Sequence, residues 1–349
     1  MKQPTPSCSD DRGPQGRARK RGTRHATSGI PPTRESPHPR RDQQLPPGER
    51  GPLRWGHKRD RYLTDTLSRF FEWVPVCPEV EMGLGTPRET LRLIGDPETP
   101  RLVFAKIRED QTDRMQAWAK MRLDRLAGLD LCGYILKSDS PSCGMERVRV
   151  YGSSGIPSKN GVGLFARGLM DRFPLLPVEE EGRLHDLPLR ENFVERVFCY
   201  RRWRDLVAGR LTPGRLVAFH AAHKLLLLAH SPKHYTELGR LVAEAKGVPP
   251  TELEAHYGTL FMDALRVKAT AKKHANVLHH IVGYFKRDLD ARDKAELLTL
   301  IADYQQGLVP LVVPLTLLQH HLTRTNVPYL SDQIYLNPHP KELMLRNHV

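Results

Sequence analysis

The sequence is poor in cysteine, with five cysteines in 349 residues and no CxxC pair among them. An odd, sparse set argues against a disulfide framework, and the lack of a CxxxCxxC run excludes the radical-SAM class. No apolar run reaches membrane-spanning length, and the arginine-rich start lacks the hydrophobic stretch of a secretory signal. We therefore expect a cytoplasmic protein that does not enter a membrane.

Aromatic residues are absent from the first 50 residues, which contain nine prolines and 11 Lys and Arg against five Asp and Glu. Such a segment buries too little apolar surface to offset the entropy lost on ordering. We predict that residues 1–53 form a disordered, basic, proline-rich tail.

What the chain has in excess is positive charge, with a net charge of +14 and a pI near 9.7. Residues 190–349 contain 22 Lys and Arg against 15 Asp and Glu. Lysine and arginine gain affinity for nucleic acids by releasing counterions from phosphates. The charge favours a polyanionic partner, with a merely solvated surface as the alternative.

Hydrophobic periodicity divides the ordered part of the chain in two. Residues 101–107 and 131–136 are predicted strands, and residues 112–129 between them are a predicted amphipathic helix. This alternation predicts an α/β domain with a layered, Rossmann-like sheet over residues 54–188. From residue 189 to 349 the pattern is helical and predicts an all-α domain.

Two cysteine motifs, VCPEVE around Cys77 and SPSCG around Cys143, each enter a loop rich in Gly, Pro or Ser after a predicted strand. In open α/β sheets, ligand sites lie just beyond the carboxyl ends of strands. The two cysteines are therefore expected to meet at one site. By spacing alone, however, either cysteine is better explained as a small buried hydrophobic residue.

The segments HKRDRYL, VPVCPEVEMGLGTPRE and LKSDSPSCG resemble the thiouracil desulfidase family, from about His57 to Arg183. The resemblance implies a [4Fe-4S] cluster that is held by three cysteines, two of them Cys77 and Cys143, with a fourth iron open to substrate. It also implies catalytic roles for Glu79, through proton transfer, and for Ser138.

The resemblance further implies substrate contacts by Arg88, Ser140 and Ser142. Glu79 and Arg88 have a structural ion pair as their alternative, and the serines have ordinary turn chemistry. A thiocarbonyl sulfur is soft and prefers iron to an oxygen-seeking metal. The expected reaction is C–S cleavage by water, as a lyase or hydrolase would perform it, without net redox change.

The third cluster cysteine of the family is missing from this chain, and Leu45 stands where it belongs. A shift of one nucleotide in codons permitted for residues 51–56 allows Val-Arg-Tyr-Asp-Gly, which the family has at this place. We therefore hypothesise that the residues before about Gly56 are an artefact of a shifted reading frame. Otherwise two family ligands remain and the activity of the chain is in doubt.

Further along, FHAAHKLLLLAHSPKHYTELGRLV and NPHPKELMLRNHV resemble the YbgA-like domain, from about Pro213 to Val349. The fusion implies that thiolated uridine in tRNA, as 4-thiouridine, is the substrate and that the helical domain binds the RNA. The alternatives are free thiouracil or nucleosides as substrate, and a non-catalytic RNA-binding protein with a decayed cluster site. Six residues are candidate RNA contacts: Lys224, Lys268, Lys272, Lys273, His274 and Lys286.

His220 and His223 lie one turn apart on a predicted helix, a spacing that permits metal binding. Neither an HExxH pattern nor an acidic partner accompanies them. We therefore expect these histidines to be hydrogen-bonded core or surface residues.

Overall fold

The structure is a computed structural model that describes residues 62–286, 288–325 and 327–347. The predicted tail at 1–53, the place of the third cluster cysteine and the reading-frame hypothesis all lie outside these residues. The fold class is confirmed over the described part, since a mixed α/β region is followed by a helical region. The domain limits of 54–188 and 189–349 stay a prediction.

The α/β region contains two small sheets. A four-stranded sheet has the order β2-β1-β4-β5, in which β1 pairs parallel with β4 and antiparallel with β2, and β4 pairs antiparallel with β5. A parallel pair of β3 and β6 forms the second sheet. The strands are β1 (Leu91–Ile94), β2 (Arg101–Phe104), β3 (Tyr134–Leu136), β4 (Val148–Tyr151), β5 (Pro157–Gly161) and β6 (Val178–Glu180).

The described strands differ in two ways from one open Rossmann-like sheet. They separate into two sheets, and the first of these contains antiparallel pairs. Strand β5 has the polar sequence PSKNG and is mostly exposed, so no apolar alternation marks it. The apolar residues 173–178 mostly precede β6 and form no strand of their own.

Three helices accompany these sheets: α1 (Pro78–Glu81), α2 (Thr112–Ala127) and α3 (Leu164–Arg172). Helix α2 buries Met115, Trp118 and Leu123 on one face, as its periodicity predicts. Residues 62–74 have apolar side chains at helical spacing, but they form only a π turn and a 3-10 turn in place of a regular helix. Leu67 and Phe71 from this stretch are nevertheless buried.

The helical region begins at a long helix and continues to the end of the described chain. Its helices are α4 (Leu187–Val207), α5 (Pro213–His230), α6 (Pro232–Ala243), α7 (Pro250–Arg266), α8 (Ala271–Tyr284), α9 (Ala291–Gln305), α10 (Val312–Arg324) and α11 (Pro328–Ser331). Thr212 accepts a hydrogen bond from the backbone N–H of Arg215 and is followed by a proline, so the predicted helix start is confirmed. No described helix has the length and apolar composition needed to cross a bilayer.

Helix α4 joins the two regions, because it is buried along most of its length. Phe193, Val194 and Val197 belong to the same apolar cluster as Ile135 of β3 and Cys132, which precedes that strand. On the helical side, the Asn192 amide donates to the Leu265 carbonyl oxygen at 2.9 Å. The sheets and the helices therefore share a continuous interior around α4.

Candidate functional site

Cys77 lies at the N-cap position of the short helix α1 and is followed by a proline at the first helical position. Its backbone N–H donates to Glu81 Oε1 at 3.2 Å. Glu81 Oε2 in turn lies 3.1 Å from Arg122 Nε on α2. The main chain at Cys77 is therefore tied to α2 through a side-chain ion pair, while the cysteine side chain is half-buried.

Cys143 lies on a tight loop between β3 and β4. Ser140 Oγ accepts hydrogen bonds from the backbone N–H groups of Ser142 and Cys143, at 3.2 and 3.1 Å. This is the turn role that was one interpretation of the serine-rich motif. Ser140 thus orients the peptide groups beside Cys143.

The N-terminus of α3 docks onto the same loop. The backbone N–H groups of Phe165 and Ala166 donate to the Ser142 carbonyl oxygen at 3.0 and 3.1 Å, and that of Gly163 donates to the Gly144 carbonyl oxygen at 2.9 Å. Free N–H groups at a helix start need such acceptors. A Cβ atom on Gly163 would lie only 2.5 Å from the Ser142 carbonyl carbon, so this position requires glycine for close approach.

Charged groups of the two cysteine motifs lie close enough to change each other's pKa. Burial raises the pKa of the Cys143 thiol, and the negative charges of Glu79 and Cys77 raise it further. Burial also raises the pKa of Tyr134 on β3, with a contribution from Cys143 and smaller ones from Glu81 and Cys77. Two thiols, a carboxylate and a phenol thus lie close enough to interact, as expected from the two strand-to-loop motifs.

Glu79 connects the two motifs directly. Its Oε1 accepts a hydrogen bond from Ser142 Oγ at 3.0 Å, and its Oε2 lies 2.6 Å from Arg88 Nη2. Both carboxylate oxygens therefore have a partner, one from each motif. Arg88 is in the ion pair with Glu79 that was the alternative to a substrate contact.

Ser138 is held by an acidic residue that the motifs do not contain. Glu181 Oε2 accepts from the Ser138 backbone N–H at 2.8 Å and lies 3.3 Å from Ser138 Oγ, and Glu181 Oε1 pairs with Lys137. The neighbouring Glu180 accepts from the Met145 backbone N–H at 2.7 Å. Three consecutive glutamates, at positions 179–181, lie at the end of β6 and just after it. This run of acidic residues is the feature of the sequence that could have indicated these contacts.

The described residues supply two thiols toward the expected cluster. They contain no group of three or more His, Cys, Asp or Glu side chains that could hold a metal ion. The convergence of Cys77 and Cys143 suits two thiolate ligands of an iron–sulfur cluster, which are normally cysteines. Within the described chain, the buried Tyr134 hydroxyl beside them has no hydrogen-bond partner. The donor set fits part of such a site, and the third ligand lies outside the described residues.

The candidate RNA contacts have unequal accessibility. Lys268, Lys272 and Lys286 are exposed, whereas Lys224 and Lys273 are half-buried. The Lys273 ammonium donates to the His230 carbonyl oxygen at 2.6 Å. His274 differs from the expectation, because it is 6% exposed and its Nδ1 lies 2.9 Å from the Tyr335 hydroxyl. It lies in the core, away from any surface that an RNA could contact.

Comparison with known proteins supports both regions separately. Residues 53–181 match the family model described as 2-thiouracil desulfurase, and residues 224–340 match one described as a protein of unknown function, DUF1722. The uncharacterized protein YbgA of Escherichia coli strain K12 is 31% identical over 153 residues, which are 44% of this chain and 90% of that protein. The chain belongs to the YbgA family.

This member of the YbgA family carries an additional region that YbgA does not match. A solved structure of a [4Fe-4S]-dependent thiouracil desulfidase, TudS, is 27% identical to this chain and covers 38% of it and 83% of the solved chain, with a TM-score of 0.30. That TM-score is too low to transfer any geometry. The predicted fusion of a thiouracil desulfidase-like domain to a YbgA-like domain is confirmed by the matches, and the match to the 2-thiouracil desulfurase model supports a desulfidase role.

Proposed function

We propose that this chain removes the sulfur of 4-thiouridine in tRNA. The observation that carries the proposal is the joining of the two cysteine motifs by Glu79, which bonds to Ser142 of one motif and to Arg88 of the other. This arrangement lies in the segment that matches the desulfurase model. The same chain continues into a helical region with an excess of basic residues.

Cys77 and Cys143 are the residues that would hold the cluster. A bound iron–sulfur cluster would supply a soft iron as Lewis acid for the thiocarbonyl sulfur. The overall reaction replaces C=S by C=O, consumes one water and releases the sulfur as hydrogen sulfide, so that no electron is gained or lost.

In this proposal Glu79 takes a proton from the attacking water. Its carboxylate is oriented by the Ser142 hydroxyl at 3.0 Å and by the Arg88 guanidinium at 2.6 Å. Arg88 pairs with one carboxylate oxygen, and the Ser142 hydroxyl bonds to the other, so the direction of the carboxylate is fixed. Ser138, held by Glu181, is a second hydroxyl for orienting the base.

RNA as the substrate suits the charge of the helical region. A thiolated base in a folded RNA must leave its stack before its sulfur can reach a buried site. Exposed cations such as Lys268, Lys272 and Lys286 would bind the phosphates on either side of that base. Lys224 and Lys273 remain proposed contacts through the exposed part of their side chains.

The decisive experiment uses the full-length chain, reconstituted anaerobically with iron and sulfide. Loss of 4-thiouridine from tRNA is measured by mass spectrometry, and bound iron is measured in the same sample. Glu79→Gln is expected to bind iron normally and to lose roughly 10²-fold in rate, because general acid–base catalysis contributes that much or more. The exposed Glu98→Gln is the matched control, with an unchanged rate expected.

Two results would replace the proposal by one of its alternatives. Turnover of free thiouracil or its nucleosides without turnover of tRNA would give the chain a small substrate, in keeping with the description of the matching family as 2-thiouracil desulfurase. Binding of tRNA by a chain that takes up no iron would leave a non-catalytic RNA-binding protein. Equal rates for Glu79→Gln and the unsubstituted chain would exclude Glu79 as the proton acceptor.

A further inference from the structure

A cleft of about 590 Å³ lies where the α/β region meets the helical region. It is separate from the Glu79 site, because none of Cys77, Glu79 or Cys143 lines it. Its volume falls within the range of small-molecule sites, roughly 300–1,000 Å³. Its walls come from α3 and β6 on one side and from α4 and the end of α7 on the other.

Arg196 of α4 is the unusual residue of this cleft. The residue is 9% exposed, and its nearest carboxylate, Glu179, lies 3.9 Å away, beyond hydrogen-bond distance. Its Nε is buried without a hydrogen-bond partner among the residues that the structure describes. Burial, with help from the nearby Arg266 and Arg183, lowers the pKa of Arg196 to about 10 against the opposing effect of Glu179. A buried cation without hydrogen bonds is costly unless a ligand supplies them.

Glu179 does not neutralise the cleft. Its Oε1 accepts from Arg183 Nε at 2.6 Å, so its charge is already shared. Arg266 is bound to Asp263 at 2.8 Å and to the Pro174 carbonyl oxygen at 2.5 Å. Lys268 is exposed and forms no ion pair with any residue in the described ranges. Arg196 and Lys268 are therefore the two cations that remain available to an anion.

The opposite wall of the cleft is apolar. Met145, Met170 and Phe173 line it. Met145 follows the Cys143 loop, and its backbone N–H donates to Glu180 Oε1 of β6 at 2.7 Å. A guanidinium binds phosphate oxygens in a bidentate manner, and an apolar wall with an aromatic ring suits a flat heterocycle. A ligand with both features, an anion and a planar base, is a nucleotide.

We propose that this cleft binds a nucleotide, with its phosphate on Arg196 and Lys268 and its base against Met145 and Phe173. The nucleotide is either free or part of an RNA strand whose neighbouring residue enters the Glu79 site. Only the second source rests on the function proposed above. The cleft would then hold the RNA in register with the cysteine motifs.

The test is titration calorimetry of the full-length chain with uridine 5′-monophosphate, at one fixed salt concentration. Uridine and inorganic phosphate are titrated separately. We expect the monophosphate to bind at least tenfold more tightly than uridine, because charge-assisted hydrogen bonds to phosphate provide that difference. Equal affinities for the monophosphate and uridine would overturn the proposal.

Variants assign the binding to the cleft. Arg196→Met and Lys268→Ala are each expected to lower monophosphate affinity by about tenfold, whereas the exposed Lys294→Ala of α9 is expected to leave it unchanged. Should Arg196→Met fail to fold, Lys268→Ala still decides, since its side chain is exposed. Monophosphate affinity that is the same in both cleft variants as in the unsubstituted chain would place the ligand elsewhere.

A final arm identifies the source of the nucleotide. Under the RNA source, Arg196→Met also weakens tRNA binding, although Arg196 is not one of the exposed RNA contacts proposed above, and the monophosphate competes with tRNA. Under the free source, Arg196→Met lowers only monophosphate binding, and the monophosphate does not compete with tRNA. Because neither titration needs sulfur removal, a chain that is inactive as a desulfidase would still test the cleft.

Discussion

At the scale of single residues, Tyr134 and Tyr257 form an instructive pair, since both are completely buried. The Tyr257 hydroxyl lies 3.1 Å from His220 Nδ1. The Tyr134 hydroxyl has no partner in the part of the chain that the structure describes. An unpaired buried hydroxyl lowers stability, whereas a paired one contributes modestly to it.

We predict opposite effects of removing these two hydroxyl groups from the cluster-free protein. Tyr134→Phe should leave the free energy of unfolding unchanged or raise it by up to about 1 kcal/mol, because an unsatisfied polar group is lost. Tyr257→Phe should lower it by about 1 kcal/mol or more, because His220 loses its partner. Urea unfolding of both variants measures the difference. A clear loss of stability in Tyr134→Phe would mean that its hydroxyl is bonded after all.

The sequence predicted that the two cysteine motifs meet, but it did not predict which residues bond to one another. Cys77, Cys143 and Glu79 were found from motifs, and the structure brings them together. The bonds from Ser142 to Glu79 and from Ser138 to Glu181 join residues 63 and 43 positions apart, and tertiary packing decides them. No local pattern predicts such pairs.

His274 could have been placed correctly from the sequence. It precedes Val277, Leu278 and Ile281 by three, four and seven residues, and all of these are buried on α8. This spacing defines the buried face of a helix. The adjacent Lys272 falls on the exposed side.

At the scale of elements, the contact between α3 and the Cys143 loop determines the shape of the site. Gly163 precedes α3 with ordinary extended backbone angles, φ −62° and ψ 142°, so conformational freedom is not the reason for glycine here. The reason is space, because an added Cβ would lie 2.6 Å from the Ser142 carbonyl oxygen and 2.7 Å from the Cys143 nitrogen. Backbone atoms can yield only if the loop moves.

Gly163→Ala is therefore expected to lower the free energy of unfolding by about 1–3 kcal/mol, as overpacking of an interior does. Gly152→Ala is the control, because an added Cβ there meets no atom within 4 Å. That control should change stability by less than about 0.5 kcal/mol. Chemical denaturation measures the free energy of unfolding of both variants. Equal values would show that the Cys143 loop and α3 are not tightly packed.

Elements were predicted from the sequence where their signals are local. The helices from α5 to α10 follow apolar periodicity, and α5 and α6 begin at side-chain caps, Thr212 and Ser231. Strand β1 was missed because it is short and its parallel pairing with β4 depends on distant residues, and β5 was missed because its polar sequence has no apolar alternation. The division of the strands into two sheets also depends on which strands pair, and this was not predicted from the sequence.

At the scale of the whole molecule, the shared interior around α4 implies that the two regions unfold together. Removing the helical region would expose apolar residues that α4 buries, so point substitutions in the full chain are the better tests of RNA binding. The same interior contains many ionisable groups. Burial lowers the pKa of His223 and His274 to about 3 and that of His220 and His339 to about 4.

These histidines make stability depend on pH in a defined direction. In the unfolded chain they take up protons below a pH of about 6.5, whereas in the folded protein they remain neutral until the pH is far lower. The free energy of unfolding should therefore fall as the pH falls from 6.5 through 4. The pKa of Glu195, lowered to about 2 by His230 and Arg346 against the effect of burial, adds to the loss below about 4.5.

Glu191 acts in the opposite direction. Burial and the charge of Glu195 raise its pKa to about 8, against the partial effect of Arg346. The folded protein keeps this proton while the unfolded chain releases it above a pH of about 4.5, so stability from this group falls as the pH rises toward 8. At pH 6.5 the four histidines of the unfolded chain are still half protonated and outweigh the one glutamate, and the two effects balance near a pH of about 7. Together these groups predict a stability maximum near a pH of about 7.

Urea unfolding at a series of pH values from 4.5 to 8 measures this maximum. Glu191→Gln should abolish the decline of stability above a pH of about 7 and keep the acid-side loss, which becomes steeper because the four histidines remain and the opposing effect of Glu191 is removed. If the stability of Glu191→Gln no longer fell at acid pH either, the titration of the histidines would depend on Glu191. Stability that is flat from pH 6.5 to 4.5 in the unsubstituted chain would show that the buried histidines are protonated in the folded protein, and that the helical interior admits water.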